Sequence, residues 1–311
     1  MDRMTLCSRS RWHGLLAAGV LCAAPVSVAQ EAAVLKKPVV VVLGASVSAG
    51  FVDNFVTRRA DGEPNRSMRM AAALKILWPD GGVQLRDQAD LLMFMDPVVR
   101  GKRQVKRGQR VPADLVIGID FMFWFGYGTA FTVGDEQEAR FKLQSQAFEM
   151  LESFDCPLIL GDYPDMLDAD KRMIPGAAMP EPDTLKELNR RLYQWASERD
   201  KVNVFPLARW GESAKKGEYS IRWKGRDLVV PIEKMLQSDR LHATKLGLVL
   251  LLHKLQSSVA VVLPQDHPLC ATKRTAEQLI EVARLADELQ PAEKDAVKDA
   301  GANIIRSGAG K

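Results

Sequence analysis

Histidine is scarce in this 311-residue chain. There are four, and His13 falls in a leader-like opening segment, which leaves His242, His253 and His267 as possible bases. Cysteine is as scarce. Cys7 and Cys22 lie in the same opening segment, so only Cys156 and Cys270 remain, enough for one open bridging possibility and too few for a disulfide scaffold. Neither Gly-Lys-Ser/Thr nor G-x-G-x-x-G occurs, which removes the phosphate-loop and dinucleotide readings. No cluster of His, Cys and Asp has metal-ligand spacing, so neither a metal nor a cofactor is expected. Past residue 29 no segment reads as long and apolar enough to span a bilayer, which takes roughly 18–20 residues. There is no internal repeat. Charge of one sign is also lacking: the formal +4 becomes +2 once Arg3, Arg9, Arg11 and Asp2 are set aside, which excludes a general nucleic-acid binder.

The opening residues carry a positive start, the apolar stretch "GLLAAGVLCAAPVSV", and Ser27-Val28-Ala29 with small residues where a signal peptidase inspects. Residues 1–29 therefore read as a cleaved export leader, and a periplasmic or secreted location follows. A lipoprotein reading through Cys22 fails on the bulky Leu21 before it. The remainder is sufficient for one large domain.

Residues 38–43, Pro-Val-Val-Val-Val-Leu, are β-branched and apolar on both faces, as a central parallel strand requires. "ADLVIGI" (113–119), "CPLILGD" (156–162) and the weaker "KVNVFPL" (201–207) read the same way, with a further strand around 83–86. Helical patterns cover 66–77, 135–153, 182–199 with Asp183 as N-cap, and 244–260. Strands alternating with helices predict a three-layer α/β/α sandwich with a central parallel sheet. "YSIRWKGRDLVVP" (219–231) reads as a hairpin around Lys224-Gly225. Residues 30–264 form the predicted domain, and 265–311 a polar C-terminal helical extension, packed on it or trailing, with a Gly-rich end.

Ligands gather at the carboxyl ends of parallel strands. The first strand breaks there into "GASVSAG" (44–50), a turn suited to presenting a nucleophilic Ser46. Its base must come from the few histidines. His253 lies within an apolar helix and His267 in a Pro-flanked loop. His242 stands in "SDRLHATKLG" with Asp239 three residues earlier. That spacing lets Asp239 take one ring nitrogen and leaves the other to accept the serine proton.

These segments resemble the SGNH/GDSL hydrolase family. "GASVSAG" is similar to its first block, G-D-S-[LI]-[ST]-x-G, with Ala45 in place of the Asp. "SDRLHATKLG" is similar to its last block, and "LVIGIDFMFW" lies where its third block, G-x-N-D, is expected. The resemblance brackets residues 38–260. It implies a flavodoxin-like fold and serine-dependent esterase or acyl-transfer chemistry. Ser46 would be nucleophile and first oxyanion donor, His242 the base and Asp239 its orienter. The third-block Asn, an oxyanion donor, is Asp120 here. Two readings stay open for it: a protonated donor among Phe121–Phe125, or a structural carboxylate bonded to loop N–H groups. Gly82 and Gly101 are the candidates for the second-block glycine. The substrate expected is a short acyl ester of a carbohydrate or small molecule. The alternatives are O-acyl transfer by the same residues, or an inactive binding protein of the cell envelope.

"FMFWFGYG" (121–128) reads as core with Tyr127 facing substrate. Asp162 and Tyr163 read as a turn cap or a rim. The basic run "RGKRQVKRGQR" (100–110) reads as a solvated helix face, with an anionic polymer or lipid headgroups as its alternative contact. Oligomeric state is not legible.

Overall fold

The computed structural model describes residues 36–52, 62, 66–79, 81–128 and 135–289. The predicted leader and the Gly-rich end lie outside the described residues. From Lys37 onward the described residues belong to one compact unit.

Five short strands make the sheet: β1 (Val39–Val42), β2 (Gln84–Asp87), β3 (Leu115–Gly118), β4 (Leu158–Gly161) and β5 (Val202–Phe205). Their order is β2-β1-β3-β4-β5, every pair parallel. This is the flavodoxin-like order, with the chain reversing direction across the sheet at β1 and β3. The sequence explains the strands' position. Val40 and Val42 enter one core with Leu115, Ile117 and Ile159. Val41 enters the other with Val116, Leu158 and Leu160. Alternate residues thus serve opposite faces, and both faces are covered. Edge strand β2, by contrast, alternates exposed and half-buried residues.

Helices α1 (Ser46–Ala49), α2 (Met70–Leu77), α3 (Pro97–Gly108), α4 (Phe123–Gly126), α5 (Glu136–Leu151) and α6 (Pro182–Ser197) follow the strands. After β5 come α7 (Leu207–Lys215), the hairpin β6 (Ser220–Trp223) and β7 (Arg226–Val229), α8 (Ile232–Met235), α9 (Lys245–Val262) and α10 (Ala276–Val282). The α3, α5 and α6 side chains build the core containing Val41; α2, α7, α9 and α10 build that containing Val40. Lys224 and Gly225 both take positive φ, 47° and 78°, so the hairpin turns where the sequence predicts.

Three expectations change, and one open possibility closes. Asp183 lies within the first turn of α6; the N-cap is Glu181, followed by Pro182, whose fixed φ suits a helix start. The strand expected over 201–207 ends at Phe205, because Pro206 breaks it and α7 begins. Cys156 and Cys270 are both free. They pack against opposite cores, with the sheet between them. Finally, α9 does meet the length and composition of a membrane span, with mean hydropathy 1.4 over 18 residues. Here it is the central helix of a core, with Leu246, Leu248, Leu250, Leu252 and Leu255 buried.

Residues 265–289 pack on the domain. Trp78 Nε1 donates to Leu269 O at 3.1 Å, and Ala276, Leu279 and Ile280 complete the core beside α9.

Candidate active site

At the end of β1, Gly44 turns the chain with φ +150°. A Cβ there would collide with Asp120 Oδ1 and stand 2.5 Å from Ser48 Oγ, so only glycine lets the two loops close. Buried Gln104 of α3 holds the same residue from behind: Gly44 N–H donates to its Oε1 at 2.8 Å, and its Nε2 donates to Gly44 O at 2.9 Å. The next turn is α1, and it presents Ser46 half-buried at its first position.

The second loop comes from the far end of the chain. Leu236 and Ala243 pair as an isolated bridge and pinch off a tight turn. Within it Arg240 adopts φ 54°. Asp239 Oδ1 accepts the N–H groups of Leu241 and His242, each at 3.0 Å. The turn therefore closes on its own carboxylate, as Asp favours. Gln237 Nε2 then donates to Phe51 O at 2.8 Å and to Ala243 O at 3.0 Å, binding this turn to the end of α1.

The two loops meet. His242 Nδ1 lies 2.6 Å from Asp239 Oδ2, and His242 Nε2 lies 2.8 Å from Ser46 Oγ. Asp239 and His242 are both buried. The Phe51 ring covers the imidazole, with centroids 4.3 Å apart. Burial pushes the Asp239 carboxyl up, but the His242 ring and the two backbone amides outweigh it and hold the pKa below its ordinary value. Asp239 thus stays ionised, and the tautomer it selects carries the proton on Nδ1. Nε2 is free to accept the Ser46 proton, which is what nucleophilic attack by a hydroxyl requires.

Asp120 follows β3 and faces α1. Its Oδ2 accepts the N–H groups of Val47 at 2.8 Å and Ser48 at 3.1 Å; its Oδ1 accepts the Ser48 hydroxyl at 2.5 Å. Burial raises its pKa, and those donors oppose the rise. Of the two sequence readings, this geometry is that of the structural carboxylate. Both oxygens are acceptors, and the N–H groups of Val47 and Ser48 are spent on them. Among the described residues, the Ser46 N–H has no partner and is the donor left near Oγ.

Three other expectations change. Gly82 is exposed just before β2, at the amino ends of the strands, whereas Ser46 lies at their carboxyl ends. Gly101 is a packing glycine of α3: a Cβ there would meet Phe125 Cζ at 2.9 Å and Met150 Sδ at 3.3 Å. Tyr127 is buried, stacked on Phe123 with centroids 4.3 Å apart, and its hydroxyl donates to Pro164 O at 2.5 Å. None of the three is a site residue. Asp162 acts as a cap, accepting from Ala208 N at 2.6 Å and the Tyr193 hydroxyl at 2.9 Å. Tyr163 is core. His253 is half-buried on α9, and His267 caps a short turn through Leu269 N. Among the described residues no three His, Cys, Asp or Glu side chains are grouped to hold a metal.

Beside Ser46 opens a cavity of about 410 Å³. Its walls are largely apolar, with Phe123, Met166, Leu207, Trp210 and Leu241 among them. The cations at its rim are paired: Lys215 with Asp168 at 3.4 Å, Lys216 with Glu212 at 2.6 Å, and Arg240 with Glu233 at 3.5 Å. Sequence reasoning missed Phe51, Gln104 and Gln237. Only Gln104 leaves a trace in the sequence, as the one uncharged polar side chain inside a basic run until Gln109.

No family model matches the chain, and no curated protein matches it in sequence. Among solved structures it is similar to the lipase/acylhydrolase from Enterococcus faecalis, with 17% identity and a TM-score of 0.46 over 71% of this chain and 95% of that one. It is also similar to an alpha/beta hydrolase enzyme from the metagenome of Lake Arreo, Spain, with 14% identity and a TM-score of 0.39 over 73% of this chain and 97% of that one.

Proposed function

We propose that this chain is a serine hydrolase of SGNH/GDSL type that cleaves carboxylic esters through an acyl-enzyme. The observation that carries the reading is the continuous relay from Asp239 through His242 to Ser46, at 2.6 and 2.8 Å, opening on an apolar cavity. Ser46 Oγ attacks the ester carbonyl as His242 Nε2 takes its proton. The imidazolium, held by Asp239, returns that proton to the departing alcohol, and the acyl group stays on Ser46. Water, deprotonated by the same ring, then releases the acid. Because the rim cations are already paired, the cavity suits an uncharged acyl group. The predicted leader makes export part of this reading.

The Ser46 N–H is the donor this geometry offers to the oxyanion. With Asp120 acting as acceptor, one expected donor is missing, and such a loss costs roughly 3–4 kcal/mol of transition-state stabilisation. A slow enzyme follows. Incubation with a fluorophosphonate probe and with p-nitrophenyl acetate tests the reading. Wild type should label and hydrolyse, and Ser46→Ala should do neither. Absence of labelling from about pH 5 to 9 would instead favour a binding protein. Product analysis with an added sugar acceptor separates hydrolysis from acyl transfer.

A further inference from the structure

Two surface features that the ester chemistry does not use meet beside the Ser46 loop. Between β2 and α3 the chain reads Leu91-Leu92-Met93-Phe94-Met95. Met93 is fully buried, and its sulfur accepts from Gln104 Nε2 at 3.3 Å. With that anchor in place its neighbours turn outward: Leu91, Leu92, Phe94 and Met95 are 40, 43, 52 and 65% exposed, and Val99 in the first turn of α3 is 51% exposed. Single exposed apolar residues are ordinary, but five between positions 91 and 99 form a patch.

The same helix carries Lys102, Arg103, Lys106 and Arg107, with Arg110 just beyond it, all exposed. None of these five forms an ion pair among the described residues; Arg100, bound to Asp90 at 2.8 Å, does. No acidic residue occurs in α3. Val99, Arg103 and Lys106 recur at helical spacing, so one stripe runs from apolar to basic.

We infer that residues 91–110 are a docking surface for an anionic lipid bilayer. The basic side chains would pair with headgroup phosphates while Leu91, Leu92, Phe94, Met95 and Val99 enter the boundary with the acyl chains. Charge decides the occupant. A second copy of this chain would set like charges against each other, and a soluble polyanion would leave the apolar side chains in water. Asp90 N–H donates to Gly44 O at 2.9 Å, so the surface borders the turn that carries Ser46. The inference does not rest on ester hydrolysis.

Sedimentation of the full chain with vesicles tests it. Wild type and Ser46→Ala should both sediment with vesicles of phosphatidylcholine and phosphatidylglycerol, and neither with phosphatidylcholine alone. The triple variant Lys102→Glu, Arg103→Glu, Lys106→Glu should bind at least about tenfold more weakly. Phe94→Ser with Met95→Ser should weaken binding and make the remainder more salt-sensitive, and circular dichroism checks that both variants fold. In Phe94→Trp, vesicles containing phosphatidylglycerol should shift the emission to shorter wavelength. The proposal is overturned if binding is indifferent to phosphatidylglycerol, or if the emission does not move. It is equally overturned if Phe94→Ser with Met95→Ser binds as well as wild type, which would mark a surface for polyanions.

Discussion

Both oxygens of Asp239 are engaged, one with the two turn amides and one with the imidazole. An asparagine there must keep its carbonyl on the amides, which turns its NH₂ toward His242 Nδ1. The ring then carries its proton on Nε2 and cannot take the one on Ser46. Asp239→Asn should therefore lower kcat about 10⁴-fold with the fold retained. The same residue sets a pH dependence. Its folded pKa lies below the unfolded value of about 3.9, so its stabilising contribution is full above about pH 4 and is lost as pH falls through the folded pKa. The difference in urea midpoint between wild type and Asp239→Asn should hold steady from neutral pH to about pH 4 and shrink below it. Much at this scale was legible in the sequence. Ser46, His242 and Asp239 stood out because few histidines compete and because a three-residue spacing is local. Gly82, Gly101 and Tyr127 misled for the opposite reason. What each of them does depends on Pro79, Phe125 or Pro164, partners that spacing along the chain does not reveal. Asp120 belongs to the same class. The carboxylate absent from position 45 arrives on α1 from the neighbouring strand.

Among the elements, α9 carries the site from below. Thr244 caps its first turn, accepting from Gly247 N at 3.0 Å and donating to Lys234 O at 2.5 Å, two residues after His242. A Cβ on Gly247 would collide with the Met235 carbonyl oxygen of α8, which is backbone and cannot swing aside. Gly247→Ala should destabilise the protein by about 1–3 kcal/mol in urea unfolding, and activity should fall as the Asp239–His242 turn shifts with α8. The strands were legible in the sequence because β-branched runs buried on both faces leave few alternatives. Helix α7 was not, since nothing local shows that Pro206 ends β5 and starts a helix at once. The leucines of α9 identified an apolar helix, but its full length, which reaches that of a membrane span, was not legible; the packing of α2, α10 and β5 around it makes it a core helix here.

For the whole molecule, residues 265–289 are part of the fold. Leu269, Ala276, Leu279, Ile280 and Leu285 are buried against α2, α9 and the hairpin. Truncation after Pro264 should bare that apolar face, lower Tm, shift Trp78 emission to longer wavelength and promote aggregation, all measurable on the purified shortened chain. Its polar composition concealed this role, because the few apolar positions of a short amphipathic helix suffice to seal a core edge.

Ser46 and the ring that would activate it stand 196 positions apart. During synthesis the serine is made early and stays as inert as any other hydroxyl until nearly the whole chain has emerged and the sheet has threaded between the two. Labelling by a reactive probe, followed in time, would then act as a clock for the completion of folding, and fragments ending short of position 242 would stay dark however well their first strands had formed.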